Sequence, residues 1–198
     1  MAKLHFYYGV MSASKSTNLL MTDYNYRANG GRCLLITHAL DNRVGTSGFI
    51  KSRLIKEPTP AKALTKINAE MLMLEFVSTY ERFPSAVLVD EAQFFSKKDI
   101  YELTKIVDDF GVPVICYGLK VDSNGNLFEG SAALLAWSDD IREIKQICHC
   151  GNKATHILRF DKNGNVIKNG KQICIGAEDK YVSVCRQCWK NGNIKSVK

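Results

Sequence analysis

The stretch YYGVMSASKSTNLL, Tyr7 to Leu20, decides how the rest of the chain is to be read. An aromatic, apolar run ends in Gly9, four residues follow, and Ser14-Lys15-Ser16-Thr17 opens a helical pattern. Phosphate-cradling loops read G-x-x-x-x-G-K-[ST], and the spacing from Gly9 to Lys15 fits, except that Ser14 stands where the second glycine belongs. In such a loop the backbone N–H groups and the following helix N-terminus face phosphate oxygens. Lys15 would reach the β- and γ-phosphates, and the Ser16 hydroxyl would bind Mg²⁺. A strand–turn–helix corner with an exposed lysine satisfies the same spacing, so a second signal is needed.

That signal is VLVDEAQFF, Val87 to Phe95. A short apolar run ending in an aspartate is the companion of phosphate loops, where the acid holds Mg²⁺. Asp90 supplies the metal partner, and Glu91 a general base beside the γ-phosphate, which implies transfer to a hydroxyl or to water. Both segments fall at the carboxyl ends of predicted strands, where open α/β sheets bind their ligands.

Outward from these two points, KLHFYYGV reads as a buried strand, KSTNLLMTDYNYRA as a helix and RCLLITH as a second strand. A Gly/Ser/Thr-rich loop, Ala39 to Lys51, follows as the candidate mobile segment. Thr59 to Tyr80 has helical spacing, with Pro58 and Pro60 at its start. AVLVDE is a third strand, KKDIYELTKIVDDF an amphipathic helix and VPVICYG a fourth strand. Short apolar runs alternating with helices predict an α/β fold whose parallel sheet is covered on both faces. After Lys145 the texture changes to KATHILRF-DKNG-NVIKNGKQICIG, two strand-like runs around a turn. The domain boundary is placed there: residues 1–145 form a phosphate-loop α/β domain and 146–198 a small C-terminal domain.

At 198 residues and 22.2 kDa, with 45% hydrophobic and 24% charged residues, the chain can bury a full core in one principal domain. The start is too short and too polar-flanked for a signal peptide, and no apolar run nears the roughly 20 residues of a membrane helix. The expectation is a cytoplasmic protein with no membrane partner. The net charge of +7 is spread along the chain, which suits solubility or a phosphate-bearing substrate better than a nucleic-acid face.

Seven cysteines without an export signal argue against a disulfide framework. Cys33, Cys116 and Cys174 lie in apolar runs and read as small hydrophobes. Cys148-His149-Cys150 and Cys185-x-x-Cys188 instead match a closed tetrahedral Zn²⁺ site, structural because no coordination position stays open. His149 and His156 are spare ligands, while His5 and His38 have no evident partner. A zinc ribbon binding nucleic acid is the competing class; the segment lacks the basic–aromatic face this needs.

Together the phosphate loop, LDNR (Leu40 to Arg43), VDEAQFF, YGLKVDSNGNLFEGS, CHCG and YVSVCRQC resemble the type II, zinc-containing thymidine kinase family over nearly the whole chain. The resemblance implies transfer of the ATP γ-phosphate to the 5′-hydroxyl of thymidine, and of deoxyuridine with it, Glu91 removing the hydroxyl proton. It assigns ATP contacts to Gly9, Val10, Met11, Ser12, Ala13, Ser14, Lys15, Ser16, Asp41, Arg43, Asp90 and Gln93. It also implies a zinc-tethered lasso between Cys150 and Cys185, with Phe94, Phe128 and Tyr181 walling the base. A homotetramer and feedback by dTTP belong to the same implication. Two positions depart from the family: Ser14, and Ser123 where many relatives carry phenylalanine. Neither removes a group that performs chemistry, although Ser14 raises the alternative of a nucleotide-binding relative impaired as a kinase.

Overall fold

A computed structural model describes residues 1–41, 45, 47–167 and 180–194; Arg43 and Cys174 lie outside them. Strands β1 (Leu4–Tyr8), β2 (Cys33–His38), β5 (Lys62–Leu64), β6 (Ala86–Asp90), β7 (Val114–Gly118) and β8 (Asp140–Glu143) form one sheet in the order β5-β2-β6-β7-β1-β8. Every pairing in it is parallel.

Alternation along the strands sorts the core into two layers. Val87 and Val89 of β6, with Phe6, Val114 and Cys116, pack against helices α2 (Ala69–Tyr80), α3 (Lys97–Asp108) and α4 (Glu129–Trp137). Ala86, Leu88, Ile115 and Tyr117 turn the other way, onto Leu19 and Leu20 of helix α1 (Lys15–Ala28). The sheet is therefore covered on both faces, and β6 and β7 are buried at every position. Burial pushes the Cys116 thiol up, and burial with the neighbouring Asp23 pushes Cys33 up to about 12. Both stay protonated, as small core hydrophobes do.

Three expectations need correction. The segment Thr59 to Tyr80 is helical only from Ala69. Its first part forms β4 (Thr59–Pro60), antiparallel to β3 (Phe49–Ile50), and then β5, which extends the sheet beside β2. Pro60 biases Thr59 towards extended backbone, and the edge of β2 supplies a ladder to join. The helix begins where the Asn68 side chain accepts the Met71 N–H at 2.8 Å. His5 has a partner after all, Asp140 Oδ2 at 3.1 Å across the β1–β8 ladder. His38 accepts the Leu40 N–H, and burial pushes its imidazole down towards the neutral form.

In the C-terminal part, β9 (His156–Phe160) pairs antiparallel with β10 (Lys180–Val184), followed by the short helix α5 (Arg186–Asn191). The predicted turn after Phe160 is present, closed by Asp161 on the Asn163 and Asn165 N–H groups. Most of the second strand-like run lies outside the described residues.

Asp99 joins two helices. Its carboxylate accepts the Ile67 N–H at 2.8 Å, just ahead of α2, and the Ser96 N–H at 3.0 Å, while Ser96 caps α3 in return. Asp99→Ala leaves a buried N–H unsatisfied and removes half a capping box, so a loss of about 3 kcal/mol is expected. A urea melt should show a lower midpoint with an unchanged slope. A midpoint equal to the parent's would show that these bonds contribute nothing.

Candidate functional site

The loop after β1 is built by exclusion. The Gly9 N–H donates to Gly118 O at 3.2 Å, and a Cβ on Gly9 would lie 2.7 Å from the Ile144 carbonyl oxygen. No larger residue fits at that corner. The chain then turns through Ser12 at φ 61° and Ser14 at φ 60°, both left-handed, before α1 starts. Ser14 thus adopts the conformation for which glycine is the usual residue. Each of these serines costs about 1–2 kcal/mol in backbone strain.

Lys15 is buried, and its Nζ donates to Val10 O at 2.9 Å, folding the ammonium back over the loop. The Ser16 hydroxyl donates to Asp90 Oδ2 at 2.8 Å. The motif residue at the start of α1 and the acid at the end of β6 therefore meet, as their predicted places at strand ends require. A hydroxyl and a carboxylate converging beside a phosphate loop form a hard-oxygen donor set suited to Mg²⁺.

Glu91 follows Asp90 with φ 52°, which swings its side chain off the strand. It lines a cavity of about 560 Å³ shared with Met11 to Thr17 and with Phe94, Phe128, Ser123 and Tyr181. Phe94 and Phe128 meet edge to face, with centroids 5.9 Å apart. Asp41 also lines this cavity. Gln93 is placed differently: it is buried behind Glu91, donating from Nε2 to Glu91 Oε2 at 2.6 Å. Its Oε1 accepts the Leu119 N–H at 3.0 Å. A Cβ on Gly118 would lie 2.8 Å from that oxygen, so the glycine keeps room for the amide. Gly9, Val10 and Asp90 do not line this cavity; Gly9 and Val10 line a separate narrow crevice with Tyr8 and Lys120.

Several cavity residues carried no sequence signal. Lys51, Ser52, Arg53 and Leu54 form one rim, tied to the phosphate loop by the Thr17–Ser52 hydroxyl pair at 2.6 Å. Leu119, Asp122 and Ile157 contribute from elsewhere.

Cys148, Cys150, Cys185 and Cys188 converge, with all four sulfurs within 4.8 Å of one another. Cys150 Sγ lies 3.5 Å from Cys148 Sγ and 3.6 Å from Cys185 Sγ. A tetrahedron of sulfurs about 2.3 Å from a central Zn²⁺ has edges of about 3.8 Å, so the cluster could hold a metal ion and fits zinc. The His149 ring lies outside, 3.7 Å from Cys188 Sγ. Backbone N–H from Asn152 and bonding from Cys148 pull the Cys150 thiol down towards the thiolate. The residue after Cys188 reaches the cavity wall: Trp189 Nε1 donates to Ser123 O at 2.9 Å, and its ring packs on Gly125.

Comparison with known proteins gives a consistent result. The family model described as thymidine kinase matches residues 2–189. A thymidine kinase of Vibrio vulnificus strain YJ016 is 47% identical over 192 residues, covering 96% of this chain and 97% of its own. One from Vibrio cholerae is 46% identical over 192 residues, with the same coverage. One from Legionella pneumophila strain Philadelphia 1 is 44% identical over 195 residues, covering 98% and 92%.

Proposed function

The chain belongs to the thymidine kinase family, and from that premise we propose that it transfers the γ-phosphoryl group of ATP to the 5′-hydroxyl of thymidine. Deoxyuridine, which differs by one methyl group, is accepted as well. The observation that carries this reading is one cavity lined together by the loop residues Met11 to Thr17, by Glu91 and by the aromatics Phe94, Phe128 and Tyr181. A nucleoside fits with its base between Phe94, Phe128 and Tyr181, which directs its 5′-hydroxyl towards Glu91.

Glu91 takes the hydroxyl proton as the 5′-oxygen bonds to the γ-phosphorus. The bond from that phosphorus to the β–γ bridging oxygen breaks, and ADP leaves. Lys15 exchanges the Val10 carbonyl for phosphate oxygens, and loop N–H groups stabilise the equatorial charge. Ser16 and Asp90 would hold Mg²⁺, which would supply positive charge to the triphosphate. Asp41 and Arg43 serve the triphosphate. Gln93 serves it indirectly, by fixing the rotamer of Glu91. The four cysteines would hold a structural Zn²⁺ and tether the segment between Cys150 and Cys185 assigned as a lasso, of which residues 168–179 lie outside the described residues. Residues 146–198 form that second domain. Among the described residues no helix is long and apolar enough to cross a membrane, and a cytoplasmic homotetramer inhibited by dTTP completes the proposal.

Measuring ADP release with and without thymidine tests this reading directly. Thymidine-dependent release supports it; release that ignores thymidine, or none at all, overturns it in favour of an impaired nucleotide-binding relative. Glu91→Gln should keep ATP binding and lower kcat by about 10²-fold or more, and turnover within about threefold of the parent would remove the base role.

Metal analysis should find close to one Zn²⁺ per chain. Cys150→Ser, which replaces a thiolate with a poor zinc ligand, should release it. Full metal content in that variant would contradict the four-cysteine site.

Ser14→Gly relieves a strained position, so the KM for ATP should fall about three- to thirtyfold. An unchanged KM would mean that ATP binding does not feel the strain.

A further inference from the structure

The phosphate loop is not held by the α/β domain alone. Ser183, on β10, donates from Oγ to Met11 O at 2.7 Å. Gln146 donates from Nε2 to Ser12 O at 2.9 Å. Both donors stand beside the cysteine cluster: Gln146 is two residues before Cys148, and Ser183 two before Cys185. Each is fixed in turn. Ser183 is paired with Ile157 in the β9–β10 ladder, and the Gln146 backbone carbonyl accepts the Ala154 N–H at 2.8 Å. Two loop side chains, Val10 and Ala13, are buried in the same apolar cluster as Cys148, Ile157, Val184, Cys185 and Cys188.

The bonded carbonyls belong to the turn that carries Ser12 and Ser14 at positive φ. A peptide plane whose carbonyl is held to one side turns its N–H to the other: holding the Met11 carbonyl aims the Ser12 N–H as a phosphate nest requires, and holding the Ser12 carbonyl fixes the plane of the Ala13 N–H, which closes the turn on Val10 O at 3.3 Å. Glycine would let the loop adopt this shape freely; serine makes it depend on outside support. Resting on the ATP reading above, we propose that Ser183 and Gln146 are positioning residues for the triphosphate. They lock the loop in its anion-binding shape and make ATP affinity depend on the cysteine module. Ser183 makes the larger contribution, since the Gln146 bond is exposed to solvent.

The test uses the full chain and the variants Ser183→Ala, Ser183→Thr, Gln146→Leu and the Ala/Leu double, assayed with ATP and thymidine. Ser183→Ala should raise the KM for ATP about three- to tenfold, and the double about tenfold or more. The KM for thymidine should stay within about twofold. Ser183→Thr, which keeps the hydroxyl, should behave like the parent. Adding Ser12→Gly to the double should recover much of the lost ATP affinity, which a general loosening of the fold would not allow.

An unchanged KM for ATP in the double overturns the proposal. So does an equal rise for thymidine, or a threonine variant as impaired as alanine. Equilibrium binding of a fluorescent ATP analogue separates this proposal from the kinase reading. A parent that binds the analogue without turning over thymidine defeats the kinase reading alone. A double that binds it as tightly as the parent defeats the clamp.

Discussion

The loop between β1 and α1 turns through two left-handed positions, and serine stands at both. The rest of the arrangement follows from holding that shape. The corner at Gly9 is fixed from one side by β7, through Gly118 O, and limited from the other by the Ile144 carbonyl. The α/β domain thus sets where the loop starts and where α1 begins. The C-terminal module sets the path between, by burying Val10 and Ala13 and by donating to the Met11 and Ser12 carbonyls. A strain of about 1–2 kcal/mol per left-handed serine is within what two hydrogen bonds and two buried apolar side chains can offset.

The acidic side of the cavity is organised by the same kind of constraint. Asp90 ends a fully buried strand and meets Ser16, whereas Glu91 leaves the strand through a left-handed residue and faces the cavity. Adjacent carboxylates therefore point to different places, Asp90 to the Ser16 hydroxyl and Glu91 into the cavity. Gln93 ties the second of these to the β7 end, and Gly118 leaves room for it. Trp189 extends the reach of the cysteine module to Ser123, so Met11, Ser12 and Ser123, all lining the cavity, are bonded to the same small unit.

Much of this was legible in the sequence. α1 spans Lys15–Ala28, the segment read as a helix, and the buried strands match their apolar runs to within a residue or two. These elements announce themselves locally, through periodicity and composition. Ser14 stood out in the sequence because it fills the motif's second glycine position, and its backbone is left-handed as glycine's would be. The short strands Thr59–Pro60 and Lys62–Leu64 were not, since ladders of two or three residues arise only from tertiary pairing. β8, with the sequence DIRE, hides for the opposite reason: an edge strand can be charged. The bonds from Gln146 and Ser183 cross 134 and 172 positions of sequence, and no local pattern encodes them. Gln93 was assigned to the nucleotide by resemblance, whereas its geometry points to Glu91.

Held together by these bonds, the cysteine module and the loop should open as one mechanical unit. Amide hydrogen exchange over residues 9–16 in the full chain, with Zn²⁺ bound and after its removal by a chelator, measures this without reference to turnover. Loop amides should exchange faster by about an order of magnitude once the metal leaves, in step with β9 and β10. Loop protection that persists while β9 and β10 lose theirs would contradict it.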